Sequence, residues 1–146
     1  MIRPTFSFIP GWSYKPEIWS DWQGRVELGS GVSVHNFEYP DIQAGQLLTR
    51  RERARGLAEQ IDDASIVVGW SLGGAFAIDL AHYFPEKVRA LVVVGTNPCF
   101  VSESGWPGMP KTDFDVFRQQ CETTPASALK GFNLLVCGGG AQSKNR

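Results

Sequence analysis

The feature that most constrains the fold of this chain is a serine set between two glycines, directly after an apolar run. Residues 65–69, SIVVG, are rich in β-branched side chains and predict a buried strand. Residues 72–81, LGGAFAIDLA, carry the small and apolar side chains of a packed helix. Ser71 therefore lies on a predicted tight turn from strand to helix, where its hydroxyl is exposed at the strand end.

The rest of the first hundred residues alternates between strand and helix patterns. Runs rich in β-branched and aromatic residues predict four strands, at 5–9, 32–37, 65–69 and 90–95. The last two are continuously apolar, which is typical of parallel strands covered on both faces. Helical patterns lie at 15–26, 45–61 and 73–88, the last stopping near Pro85. This alternation predicts an α/β fold with a mostly parallel sheet and flanking helices.

The helix predicted at 45–61 has an apolar stripe and a charged face. The stripe consists of Leu47, Ala54, Leu57, Ala58 and Ile61. The charged face carries Arg50, Arg51, Arg53 and Arg55, and we expect it to be solvated and paired with Glu52 and Glu59. After residue 95 the sequence becomes turn-rich, and residues 114–136 then predict helical pieces interrupted at Pro125.

Composition narrows the classes of partner. Lys plus Arg total 14 against 15 for Asp plus Glu, a net charge of −1, which favours neither nucleic acid nor an anionic membrane as a partner. No stretch has the length of a membrane span, and the first residues lack the apolar core of a secretory signal. Cys99, Cys121 and Cys137 are widely spaced and odd in number, which predicts reduced thiols in a cytoplasmic protein without a metal or cofactor.

Residues 69–73 fit the pattern G-x-S-x-G, with Gly69 and Gly73 flanking the nucleophile Ser71. A side chain at either glycine would collide with neighbouring elements. A nucleophile on such a turn also needs backbone N–H groups aimed at the charge that develops on the substrate carbonyl. Leu72, at the helix start, supplies one candidate donor. The alternative is a close-packed turn without chemistry.

The loop after the first strand supplies the second candidate oxyanion donor, the N–H of Trp12, with Gly11 allowing the turn. The Trp12 indole is also a candidate wall of the acyl pocket, and the two roles are compatible. The serine further needs a base. His35 lies within a predicted strand, and His82 lies about 16 Å along the helix from Ser71, so we expect neither to reach it.

Five segments carry a resemblance to a known family: PGWSYKPEIW, GWSLGG, PEKVRALVVV, NPCF and WPGM. Over about residues 5–135 the chain resembles the α/β-hydrolase superfamily, and within it the esterases that cleave the methyl ester of a carrier-protein-bound acyl chain in biotin synthesis. The resemblance implies Ser71 as nucleophile, Trp12 and Leu72 as oxyanion donors, and Trp70 and Trp12 as substrate-binding residues. It also implies that the first and third strands are neighbours.

The resemblance covers only the first half of such an enzyme. It implies that 1–104 form the N-terminal half of the hydrolase core and that 105–136 begin a helical lid, while 137–146 read as an aberrant flexible tail. Lys111, Arg118 and Lys130 on that lid are candidates to meet an acidic carrier protein. Asp113 and Asp115 are expected to be solvated lid charges.

The catalytic Asp and His of the family have no counterpart here. The alternatives left open are a truncated, inactive hydrolase and a non-catalytic binding module. Because the last predicted strand is apolar and lies at an edge, we also expect self-association there.

Overall fold

A computed structural model of the chain describes residues 5–27, 33–37, 39 and 47–141. The chain divides into two compact units, Met1–Pro98 and Cys99–Arg146. The boundary predicted after residue 104 falls within the second unit.

The first unit is built on a four-stranded parallel sheet. Its strands are β1 (Thr5–Ile9), β2 (Ser33–Asn36), β3 (Ser65–Trp70) and β4 (Val88–Val94), in the order β2-β1-β3-β4. All three pairings are parallel. This confirms the predicted α/β class and the adjacency of the first and third strands. Because parallel strands end at one edge, the loops that follow β1 and β3 lie side by side.

The helices that flank this sheet in the described residues are α1 (Ser20–Glu27), α2 (Arg50–Ala58) and α3 (Leu72–Tyr83). Short 3₁₀ turns at Pro16–Trp19 and Pro85–Lys87 precede α1 and β4. The predicted stripe of α2 is correct for its buried members Ala54, Leu57, Ala58 and Ile61. It is wrong for Leu47, which is 96% exposed, because the helix starts only after the N-cap Thr49.

Apolar side chains fill both faces of the sheet. The core between one face of the sheet and helices α2 and α3 contains Ile9, Phe37, Leu57, Val67, Ala77 and Leu80. The other face contains Phe8, Trp19 and Val68. Neighbouring residues of one strand alternate between the faces, as the period of a strand requires.

Two of the arginines expected on a solvated face also hold α2 against α3. The Arg50 Nε donates to the Asp79 Oδ1 at 2.9 Å, and the Asp79 residue is only 4% exposed. The guanidinium of Arg53 lies 5.6 Å from the centroid of the Phe76 ring. These arginines thus satisfy a buried carboxylate and cover an aromatic ring.

The two continuously apolar strands, β3 and β4, differ in burial. β3 is covered on both faces as predicted, whereas Leu91, Val92, Val93 and Val94 of β4 remain 37–46% exposed. Among the strands that the structure describes, β4 has β3 as its one neighbour. The expected burial of β4 is therefore wrong within the described residues, because nothing there covers its outer edge.

The second unit contains two consecutive helices, α4 (Lys111–Thr123) and α5 (Pro125–Ala141). Their break at Pro125 confirms the predicted interruption. α5 includes the first residues of the segment 137–146 that was predicted to be a flexible tail, and residues 142–146 lie outside the described residues. In the described ranges no helix is long and apolar enough to cross a membrane. No disulfide joins the three cysteines, all of which are described.

Candidate active site

Ser71 lies between the last residue of β3 and the first residue of α3, at the carboxyl edge of the sheet. Its backbone has φ 54° and ψ −120°, a region that side-chain-bearing residues rarely adopt. Such conformations persist only where the surroundings hold them, and they concentrate at functional sites. The structure therefore places the predicted nucleophile on a strained strand-to-helix turn.

The two glycines of the motif permit this turn for steric reasons. A Cβ at Gly73 would overlap the backbone carbonyl oxygens of Ile9 and Pro10. A Cβ at Gly69 would lie 2.6 Å from the carbonyl oxygen of Gly73. The first turn of α3 thus packs directly on the ends of β1 and β3, and only glycine allows that approach.

The loop after β1 lies against Ser71. A Cβ at Gly11 would be 2.9 Å from the Trp70 ring and 3.4 Å from the Ser71 Cβ. The Tyr14 N–H donates to the Gly11 carbonyl at 3.2 Å and closes a turn that contains Trp12. The two predicted oxyanion donors, Trp12 and Leu72, therefore lie in the two segments that flank the serine.

Aromatic side chains line this edge. The half-buried Trp70 ring meets the Tyr14 ring edge-on, with centroids 4.8 Å apart and planes at 66°. Tyr14 was missed in the sequence, although its place three residues after Gly11 in the segment PGWSY was a usable signal. The resemblance implies that Trp70 binds substrate. In the structure its ring contacts Tyr14, from the loop after β1.

Tyr39 fastens the start of the same loop. Its hydroxyl donates to the carbonyl of Pro10, and its ring meets the Phe76 ring edge-on at 5.5 Å. Burial raises the pKa of Tyr39 well above its ordinary value of 10.0, which keeps the hydroxyl protonated as a donor. No local sequence signal identified this residue.

Both histidines of the chain lie far from Ser71. On the sheet, His35 is in register with Ser7, which pairs with Val67, so strand spacing and rise place it about 16 Å from Ser71. Its Nε2 lies 3.8 Å from the Asp62 carboxylate. His82, in the last turn of α3, packs edge-on against Tyr83. Neither supplies a base to the serine, as expected.

Metal chemistry has no visible site in the described part of the chain. No group of three or more His, Cys, Asp or Glu side chains there is arranged to hold a metal ion. The region around Ser71 combines a hydroxyl, the N-terminus of α3 and an adjacent backbone turn.

Comparison with known proteins identifies the family. Residues 56–129 match the α/β hydrolase fold family, and the chain belongs to that family. Among curated proteins it is similar to the pimeloyl-[acyl-carrier protein] methyl ester esterases of Salmonella newport and Salmonella heidelberg. Each is 36% identical over 115 residues, which cover 77% of this chain and 44% of the relative. The chain therefore spans less than half the length of these relatives.

Solved structures show the same fold. An extracellular α/β-hydrolase from a Paenibacillus species aligns with a TM-score of 0.61 and 17% identity, over 84% of this chain and 52% of that one. An α/β hydrolase from the metagenome of Mar Chica lagoon sediments aligns with a TM-score of 0.51 and 26% identity, over 66% of this chain and 46% of that one.

Proposed function

We propose that this chain carries the nucleophile and oxyanion hole of a carboxylic-ester hydrolase. The observation that carries the proposal is the strained turn at Ser71, flanked by the N-terminus of α3 and by the β1 loop. The Ser71 Oγ attacks the ester carbonyl, while the N–H groups of Leu72 and Trp12 stabilise the oxyanion. The hydroxyl proton passes through water or an added base to the departing alcohol as the acyl-enzyme forms, and water then releases the acid and restores the Ser71 hydroxyl.

The base of this reaction is not one of the two histidines, given their distances from Ser71. Oxyanion donors without a triad retain only a small part of the rate enhancement. We therefore expect slow turnover from the chain by itself. This separates an incomplete esterase from a non-catalytic binding module, which would show no Ser71-dependent turnover.

The experiment measures hydrolysis of p-nitrophenyl butyrate with and without added imidazole as an external base. We expect slow hydrolysis that imidazole accelerates beyond its own solution reaction, together with slow labelling of Ser71 by a fluorophosphonate that imidazole also accelerates. The Ser71→Ala variant is the matched control and should lose the label and the imidazole-dependent increment. Hydrolysis that is unchanged in Ser71→Ala would contradict the proposal.

The proposed substrate is the methyl ester of an acyl chain linked to a carrier protein, in a cytoplasmic pathway of biotin synthesis; other small esters are the alternative. Support for the carrier-linked methyl ester comes from the Salmonella relatives, which are pimeloyl-[acyl-carrier protein] methyl ester esterases. Trp70, Tyr14 and Trp12 would form aromatic walls for the acyl chain. No nucleic acid or membrane partner is proposed.

An acidic carrier protein would meet the cations of the second unit, Lys111, Arg118 and Lys130. The Lys111 Nζ is 2.7 Å from the Asp115 carboxylate, and an Arg118 nitrogen is 3.8 Å from it. Asp115 thus orients and partly compensates two of these charges, and these two cations hold the pKa of its carboxyl below its ordinary value. Charge reversal at Arg118 should weaken turnover of a carrier-linked substrate in a full-length relative without affecting a small ester.

We further propose that copies of the chain associate through the outer edge of β4. Its side chains are apolar and more than a third exposed from Leu91 to Val94. The unpaired N–H and C=O groups of an edge strand are a template for pairing with a second strand.

A further inference from the structure

The last residue of β4 and the residues just after it contact the backbone of Ser71 at both its N–H and its carbonyl. The Ser71 N–H donates to the carbonyl of Val94, the last residue of β4, at 2.9 Å. Gly95, at φ 55°, then turns the chain so that Thr96 faces the serine. The Thr96 hydroxyl donates to the carbonyl of Ser71 at 3.1 Å. Both polar backbone groups of the strained residue are therefore bound by one short segment.

Gly74 provides the space for this hydroxyl. A Cβ built on Gly74 would overlap the Thr96 Oγ1 and lie 3.0 Å from the Thr96 Cβ. The motif G-x-S-x-G ends at Gly73, so the motif itself does not require glycine at position 74. The close approach of Thr96 is a separate steric reason for glycine at position 74.

The Ser71 carbonyl also accepts the first backbone hydrogen bonds of α3. Besides the Thr96 hydroxyl, the Ser71 carbonyl accepts the Gly74 N–H at 3.0 Å and lies 3.4 Å from the Ala75 nitrogen. A residue in a sparsely populated backbone region relaxes unless its contacts hold it. The Thr96 hydroxyl is a side-chain donor to this carbonyl, and it joins the end of β4 to the serine turn.

We infer that Thr96 is a positioning residue for Ser71, whose hydroxyl fixes the serine turn through the Ser71 carbonyl in the space left by Gly74. The effect of Thr96 on the conformation of the turn does not depend on the proposed function. Its effect on the reaction of Ser71 rests on that function. The inference differs from an oxyanion role because Thr96 acts through the backbone of Ser71 and contacts no reacting atom.

The experiment compares Thr96→Val, which removes the hydroxyl at nearly constant shape, with Thr96→Ser, which keeps it. Amide hydrogen exchange is followed at Ser71 and Gly74, with Val67 of β3 as the reporter of global unfolding. Loss of one hydrogen bond should speed exchange at Ser71 and Gly74 about five- to tenfold in Thr96→Val, and exchange at Val67 by no more than that, since global unfolding breaks the same bond. Thr96→Ser should restore protection at Ser71 and Gly74.

The matched control is Thr5→Val, which removes a hydroxyl that lies 3.4 Å from the Asp62 carboxylate at the other end of the sheet. It should leave exchange at Ser71 and Gly74 unchanged. No acceleration at Ser71 and Gly74 in Thr96→Val, or an acceleration at Val67 that exceeds theirs, would overturn the inference.

Fluorophosphonate labelling of Ser71 provides the second readout. The labelling rate should fall about five- to tenfold in Thr96→Val and recover in Thr96→Ser, in parallel with exchange. If local exchange responds as expected but the unmodified chain takes up no label, the positioning role stands and the proposed esterase function fails.

Discussion

At the scale of single residues, the turn at Ser71 requires glycine at positions 69 and 73, because a side chain there would collide with neighbouring backbone. Gly73 lies against the backbone carbonyls of Ile9 and Pro10, and these cannot move without shifting β1. Gly24 is a useful contrast, because an added Cβ on this residue of α1 meets nothing within 4 Å. The same substitution should therefore have opposite effects at the two positions.

Gly73→Ala should destabilise the chain by about 1–3 kcal/mol through overpacking against backbone. Gly24→Ala should stabilise it by about 0.5–1 kcal/mol, because alanine is the better helix residue at an open position. Urea unfolding followed by circular dichroism measures both. Equal shifts of the two variants would show that Gly73 does not make the close approach described.

Ser71 gives a second residue-scale prediction. Ser71→Gly and Ser71→Ala both remove the hydroxyl, but only glycine relieves the positive φ of 54°. Ser71→Gly should therefore be more stable than Ser71→Ala by about 1 kcal/mol, while neither variant takes up a fluorophosphonate. The two free energies of unfolding in urea test this, and Ser71→Ala as the more stable variant would contradict the strain.

At the scale of elements, α2 shows how a helix start is fixed by two side chains. The Glu52 N–H donates to the Thr49 hydroxyl oxygen at 3.2 Å, and the Thr49 N–H donates to the Glu52 carboxylate at 2.8 Å. The Thr49 hydroxyl lies 2.7 Å from the same carboxylate. Hydrogen bonds from the side chain and then the backbone of Thr49 lower the pKa of Glu52 from its ordinary value of 4.5.

This lowered pKa makes the capping box sensitive to acid. The folded chain binds this proton less readily than the unfolded chain, so the stabilisation is complete above pH 4.5 and is lost as pH falls through the folded pKa. Glu52→Gln should flatten the change in urea midpoint over this window. Thr49→Ala, which removes the hydroxyl, should flatten it too and lower stability by about 1 kcal/mol. An unchanged pH dependence in Glu52→Gln would rule this out.

At the scale of the whole molecule, the exposed edge of β4 is the feature that most affects association between copies of the chain. β4 is apolar and continuous with a well-packed sheet, yet its side chains from Leu91 to Val94 remain partly open. Such an edge favours pairing between copies, and a charged side chain opposes it.

We therefore expect the chain to sediment as concentration-dependent oligomers in analytical ultracentrifugation. Val93→Lys should shift the distribution toward monomer. Leu47→Lys is the matched control, since it removes a more exposed apolar side chain that lies outside the sheet, and it should leave the distribution unchanged. A monomer at all concentrations would contradict pairing through β4.

Local patterns predicted much of the candidate site. The positions of Ser71, Gly69 and Gly73 follow from the order of an apolar run, a glycine-flanked serine and a helical pattern. Tyr39 and Thr96 could not be predicted in this way, because their partners Pro10 and Ser71 are distant in the sequence. No periodicity records which hydroxyl will meet which carbonyl.

The sequence by itself determined the α/β class, the places of the four strands and the turn that bears Ser71, because periodicity and glycine sterics act over a few neighbouring residues. Only the tertiary structure decided that Thr96 enters the space above Gly74 and that β4 stays open while β3 is buried. Those outcomes depend on which segments approach each other across the sheet, and the free energy of such contacts is set by three-dimensional packing.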